Sequence, residues 1–212
     1  MRLAILSESP ADAAAVRILT ESLIAAAAEL VDPEQFRTRP GGWPSVLNIA
    51  PSLIKHLHYQ TEVDALVVVV DLNDSHIHAP SHDEPDGFDQ QCRLCLLRRA
   101  IEDTLNQLGS RPHAAPVHTA IGIAVPAIEA WYLFGKDPHV SEAAWVTGTA
   151  PYTRKTLKES AYGTSRPLLV LQTQVAVNEA QRLTGQLDLL EQHFPVGFGA
   201  LAQAVRGWSD DA

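Results

Sequence analysis

The chain has 212 residues, of which 46% are hydrophobic and 19% charged, with a formal net charge of −9. That length supports one sizeable core, or a core with a small appendage, in an ordinary globular composition. The acidic balance excludes a general nucleic-acid-coating role, and no apolar run approaches the roughly 20 residues of a membrane span.

Read from the N-terminus, MRLAILSES has too short an apolar run for a signal peptide, so a cytoplasmic protein with no membrane partner is expected. Arg2 to Leu6 reads as a short buried strand, broken by Ser7-Glu8-Ser9-Pro10. A helix follows, with Asp12 near its start and apolar residues at helical spacing through Leu30, before Asp32-Pro33 stops it. Gln35 to Arg39 reads as a second strand, Pro40 to Pro44 as a turn, and Ser45 to His58 as a helix. Ala65 to Val70 is the most β-branched run, and it ends abruptly at Asp71, Asn73 and Asp74.

From Ser75 to Asp89 the composition changes to His, Pro, Asp and Ser, the signature of a long surface loop. Helical periodicity returns from Phe88 to Leu108, and Val117 to Val125 is a third core strand. Pro126 suits the first turn of a short helix, PAIEAWYLFG, closing at Gly135. Pro138 to Trp208 is mostly helical. The alternation of strand and helix predicts an α/β core over residues 1–137 with a largely parallel sheet flanked by helices, and a helical segment over 138–212 packed on it.

Sites in such sheets form in the crevice at the carboxyl ends of the strands. Glu8, Asp71 with Asp74, and Glu129 each follow a different strand, which predicts a carboxylate cluster there. Such a cluster needs a neutralising cation or raised pKa values. Hard oxygen donors suit Mg²⁺ or Mn²⁺, and Asn73 could add a neutral oxygen. A purely architectural reading competes: Asp and Asn are frequent turn formers, and Glu in a first helical turn is favoured by the macrodipole alone.

The segment LSESPADAAAVRIL resembles the opening of Toprim-like proteins, and VVVVDLND resembles their Asp-x-Asp strand end. GIAVPAIEAWYLFGKD and HFPVGFGALAQAV resemble segments of one bacterial branch, the family called domain of unknown function 4276. The resemblance implies a Toprim-like fold, with Glu8 as metal ligand and acid/base group and Asp71 as Mg²⁺ ligand. Asn73 stands where the pattern has Asp, so Asp74 would substitute, and Ser9 replaces the common Gly. Glu129 completes the acidic rim as a second catalytic group, with Asp12 and His76 behind it. Lys155 and Lys158, three apart on one helix, are the candidates for holding substrate phosphates.

The resemblance further implies a DNA- or RNA-cleaving enzyme, with an ATPase partner and a role in phage defence. The competing reading is a catalytically degenerate Toprim-like module that binds a protein partner, and a third is a small-molecule phosphotransferase or pyrophosphatase. Zinc at Cys92 and Cys95 is not expected: the two lie three apart on a helix, as small buried hydrophobes do, and His…Cys-x-x-Cys is not a finger order. His76, His78 and His82 are expected to be solvated, or to belong to a lid over the acidic crevice.

Overall fold

The computed structural model describes residues 1–25, 27, 29–31, 42–111 and 116–208. Four parallel strands form one sheet in the order β2-β1-β3-β4: β1 (Arg2–Ser7), β2 (Glu29–Val31), β3 (Ala65–Asp71) and β4 (His118–Ala124). β3 is buried along its length except at Asp71, as expected of a central parallel strand covered on both faces. The side chains of the sheet alternate between two cores. Leu3, Ile5, Val67, Val69 and Ala120 face one, and Ala4, Leu6, Leu66, Val68 and Val70 face the other.

The first core is covered by α1 (Pro10–Leu23), α4 (Glu129–Leu133), α7 (Leu169–Leu183) and α9 (Ala200–Gly207). The second is covered by α2 (Trp43–Gln60) and α3 (Arg93–Gln107). α5 (Glu142–Val146), α6 (Arg154–Tyr162) and α8 (Leu187–His193) complete the helical C-terminal stretch. That stretch is not a separate layer: Ala176, Leu183, Phe194, Phe198 and Leu201 share one core with β1, β3 and α1. Arg182 of α7 ties it to α4, donating to the carbonyls of Tyr132 and Phe134 at 3.1 and 2.8 Å. Among the described residues, no helix is long and apolar enough to cross a membrane.

Four expectations are corrected. The first helix ends at Leu23 rather than Leu30, because Leu30 and Val31 pair with Leu3 and Ala4 of β1. The helical spacing that runs through Leu30 gives way to sheet pairing. Pro126 is not in the first turn of a helix: its peptide bond with Val125 is cis, and α4 begins at Glu129. The third long helix opens at Arg93 rather than Phe88, which leaves Cys92 at the N-cap instead of on the helical face. The loop before it carries a short 3₁₀ turn, Pro80–Asp83. The expected strand at Gln35 to Arg39 lies outside the described residues.

The close of the chain depends on a glycine. A π-helical turn, Pro195–Gly199, presses on β4, and a Cβ at Gly197 would sit 2.4 Å from the carbonyl oxygen of Ile123. Its amide and that of Val196 each donate to the buried Glu142 carboxylate at 3.0 Å, so this acid caps a turn; burial is what pushes its pKa up.

Candidate functional site

The sheet order reverses between β1 and β3, where the following connections leave in opposite directions; open α/β sheets form their crevice there. Glu8 follows β1 and Asp71 ends β3, so the two carboxylates meet at this switch point. Glu8 Oε1 accepts the Asp71 amide at 3.0 Å, and Asp71 Oδ1 accepts the Ile128 amide at 2.9 Å. Each acid therefore clips one strand end to the next, which gives both an architectural use whatever else they do.

Two further carboxylates join them. Ser9 caps α1, its hydroxyl accepting the Asp12 amide at 3.2 Å and donating to Asp12 Oδ2 at 2.7 Å, which holds Asp12 over the crevice. Glu129 opens α4 and is only 4% exposed; its Oε2 is buried with no hydrogen-bond partner. Burial pushes Asp12 up to about 7, reinforced by the charges of Glu129 and Glu8. Asp71 keeps an accessible edge, yet the dense protein around it holds its pKa well above the usual carboxylate range, with Glu129, Asp12 and Glu8 adding repulsion.

Two cations answer these charges. Arg93 Nη1 donates to Glu8 Oε1 at 3.2 Å and to the Asp71 carbonyl at 2.7 Å, and its guanidinium lies over the Trp43 ring at 4.9 Å. Burial lowers the Arg93 pKa against the support of Glu8 and Asp71, and nearby Arg154 lowers it further. Lys158 Nζ lies 3.6 Å from Glu129 Oε1. Two tyrosines complete the floor. Tyr132 is buried with its hydroxyl unpaired; burial raises the pKa of both Tyr132 and Tyr162, with the charges of Glu129 and Asp12 adding to it.

Of the residues singled out in the sequence, Glu8, Asp12, Asp71, Glu129 and Lys158 come together. Asn73 takes the left-handed backbone that Asn tolerates (φ 54°), its amide bonded to Pro126 O and its side-chain oxygen buried without a partner. Asp74 is exposed and contributes through its charge on Arg93. His76 faces Asp89 at 2.8 Å, and Lys155 is exposed and nearest Glu159 at 3.9 Å, so neither pairs with a crevice carboxylate. Sequence reasoning missed Arg93, which opens a helix without any motif, and Tyr132, three residues after Glu129 on α4.

A second group lies at the other end of the β3–α3 connection. Cys92 Sγ is 3.8 Å from His78 Nδ1, and Cys95 Sγ is 3.6 Å from both His78 Nδ1 and His82 Nδ1. Comparison of the chain with protein-family models, curated proteins and solved structures gave no match in any of the three.

Proposed function

We propose that the acidic crevice is a Toprim-like, divalent-metal-dependent phosphodiester-cleaving site, and that the protein is a nuclease. The observation that carries this reading is the convergence of Glu8, Asp12, Asp71 and Glu129 at the switch point against two paired cations, Arg93 and Lys158. A divalent ion fits the surplus: the donors are hard oxygens, burial and the neighbouring carboxylates raise Asp12 and Asp71, and Glu129 Oε2 is buried without a partner. Asp71 and Glu129 would hold it, with Glu8 shared between the ion and Arg93. Mg²⁺ or Mn²⁺ bound there supplies Lewis-acid polarisation of a phosphodiester oxygen and a more acidic water.

The chain's own groups divide the remaining work. Glu8 takes the proton of the attacking water, its position fixed by the Asp71 amide and by Arg93. Asp12, which burial raises to about 7 in the metal-free protein, would be the group placed to donate a proton to the leaving oxygen. Lys158, with Arg154 whose Nε is buried and unpartnered, faces the flanking phosphates in place of Lys155. DNA or RNA is the substrate class, and an ATPase partner in phage defence goes with the family resemblance.

A second reading, a non-catalytic module that binds a protein partner, draws on one feature. The run Leu168 to Leu171 opens α7 with Leu168 79% and Val170 80% exposed. Calorimetric titration of Mg²⁺ and Mn²⁺, followed by cleavage assays on DNA and RNA, separates the two. Saturable binding lost in Asp71→Asn, with metal-dependent cleavage lost alongside, is the expected result. Binding and cleavage unaffected by that change would sink the nuclease reading.

A further inference from the structure

We propose that His78, His82, Cys92 and Cys95 form a closed structural zinc site that fastens the β3–α3 connection to the N-terminus of α3. With Zn–S near 2.3 Å and Zn–N near 2.0–2.1 Å, the sulfur-to-nitrogen edge of a tetrahedral site is about 3.6 Å. The three such edges recorded here are 3.6, 3.6 and 3.8 Å, and all four donor atoms lie within 4.8 Å of one another. Among the described residues, this is the group of three or more His, Cys, Asp or Glu whose donors converge in this way.

Ordinary hydrogen bonding accounts for the cluster incompletely. Each thiol has one proton, yet Cys95 Sγ is equally close to two imidazole nitrogens, and His78 Nδ1 is shared by both sulfurs. A single cation at the centre satisfies all four at once. Two thiolates and two imidazoles in tetrahedral reach select zinc over the harder ions, and four protein donors with no open position mark a structural site.

The surroundings of the ligands favour the same conclusion. The two imidazoles are set edge to face, their centroids 5.3 Å apart, so both Nδ1 atoms point inward and both Nε2 atoms outward. His78 Nε2 lies within hydrogen-bond distance of Asp83 Oδ2 at 3.2 Å, while His82 Nε2 lies 3.7 Å from Asp89 Oδ2, which is itself 2.8 Å from His76 Nδ1. Carboxylates behind metal-bound imidazoles fix the tautomer that leaves the other nitrogen free to ligate. Both carboxylates are themselves held. Arg98 donates to Asp83 Oδ1 at 2.7 Å, its Nη1 passing 3.3 Å from His78 Nε2, and the Gln91 amide donates to Asp89 Oδ1 at 2.7 Å. Cys92 is the N-cap of a 15-residue helix and its side chain makes no capping hydrogen bond, so the sulfur is turned to the cluster rather than to the helix end.

The sequence carries the parts in an unfamiliar order: a His-x₃-His pair precedes a Cys-x₂-Cys pair, the reverse of a finger. The consequence for the molecule lies in the next residue. Arg93 follows Cys92 directly and donates to Glu8 and to the Asp71 carbonyl, so a metal that fixes Cys92 also fixes a cation of the acidic crevice.

Elemental analysis of the full chain, purified without a histidine tag and dialysed against a zinc buffer, tests the site independently of any catalytic role. Stoichiometric zinc is expected, retained in Asp71→Asn and lost in Cys95→Ser and in His82→Ala. Exchange with Co²⁺ in the wild type guards against variants that simply fail to fold. Thiolate-to-cobalt charge transfer with intense tetrahedral d–d bands is expected. Absence of both retained zinc and that spectrum would overturn the proposal, as would an octahedral cobalt spectrum without sulfur charge transfer.

Discussion

The acidic crevice and the His/Cys cluster both gather metal-binding side chains, but they are assembled in opposite ways. The crevice draws Glu8 and Asp71 from two strand ends and Asp12 and Glu129 from two helix starts, across more than half the sequence. Its charges repel, Asp12 and Asp71 are held above the usual carboxylate range by burial and by that repulsion, and its cations come from α3 and α6. The cluster draws its donors from the single stretch His78 to Cys95, with Asp83 behind His78 and Asp89 near His82. One arrangement keeps a surplus of charge for a ligand and the other is closed on itself. A site assembled by topology stores electrostatic tension, whereas a site assembled by a local loop can be satisfied by one ion.

The sharpest way to separate the two is to neutralise the crevice while watching the cluster. Glu8→Gln or Asp71→Asn should lower metal-dependent cleavage by about 10²–10⁴-fold, the usual weight of a general acid or base, with zinc content unchanged. Parallel turnover and elemental measurements check it; loss of zinc together with activity would mean that the two regions are not independent. The converse change is milder. Asp83→Asn or Asp89→Asn should weaken zinc affinity by about 10–100-fold, measured by competition with a chromophoric chelator, and leave the Mg²⁺ isotherm in place.

Lys158→Ala should destabilise the chain by about 1–2 kcal/mol in urea unfolding, because it strips the buried Glu129 of its cation. The figure is below that of a fully buried pair since Lys158 is 37% exposed. Glu129→Gln in the same background should recover most of the loss, and Lys155→Ala alone should change stability by less than about 0.5 kcal/mol.

A separate effect is expected in the pH dependence of the metal-free protein. Asp12 keeps its proton to about pH 7 when folded, against an ordinary value of 3.8. The folded state thus binds more protons across that window, and this group's contribution to stability falls as pH rises from 3.8 towards 7. Asp71, also raised, acts in the same direction. Thermal unfolding should show stability lost on going from pH 5 to 8, and Mg²⁺ should restore more at pH 8 than at pH 5. A metal increment independent of pH would place the ion away from these carboxylates.

Much of this was legible in the residues themselves. The unbroken run from Ala65 to Val70 declared a strand buried on both faces, and the carboxylates after three strands named the crevice, because strand ends converge in a parallel sheet. The helical spacing through Leu30 misleads because propensity is local while the pairing of Leu30 with Leu3 is not. Arg93 was invisible because a lone arginine at a helix start carries no pattern; its role comes from Trp43 beneath it and Glu8 across from it.

The sequence by itself determined the α/β alternation, the central strand and the acidic character of the switch point, since hydrophobic periodicity and strand-end chemistry act over a few residues. Only the tertiary structure decided which cations answer the carboxylates, that Lys158 and not Lys155 pairs with Glu129, and that two histidines from a polar loop close on two cysteines. Those outcomes depend on directions of approach between elements, and no spacing along the chain encodes the point in space at which side chains from different elements meet.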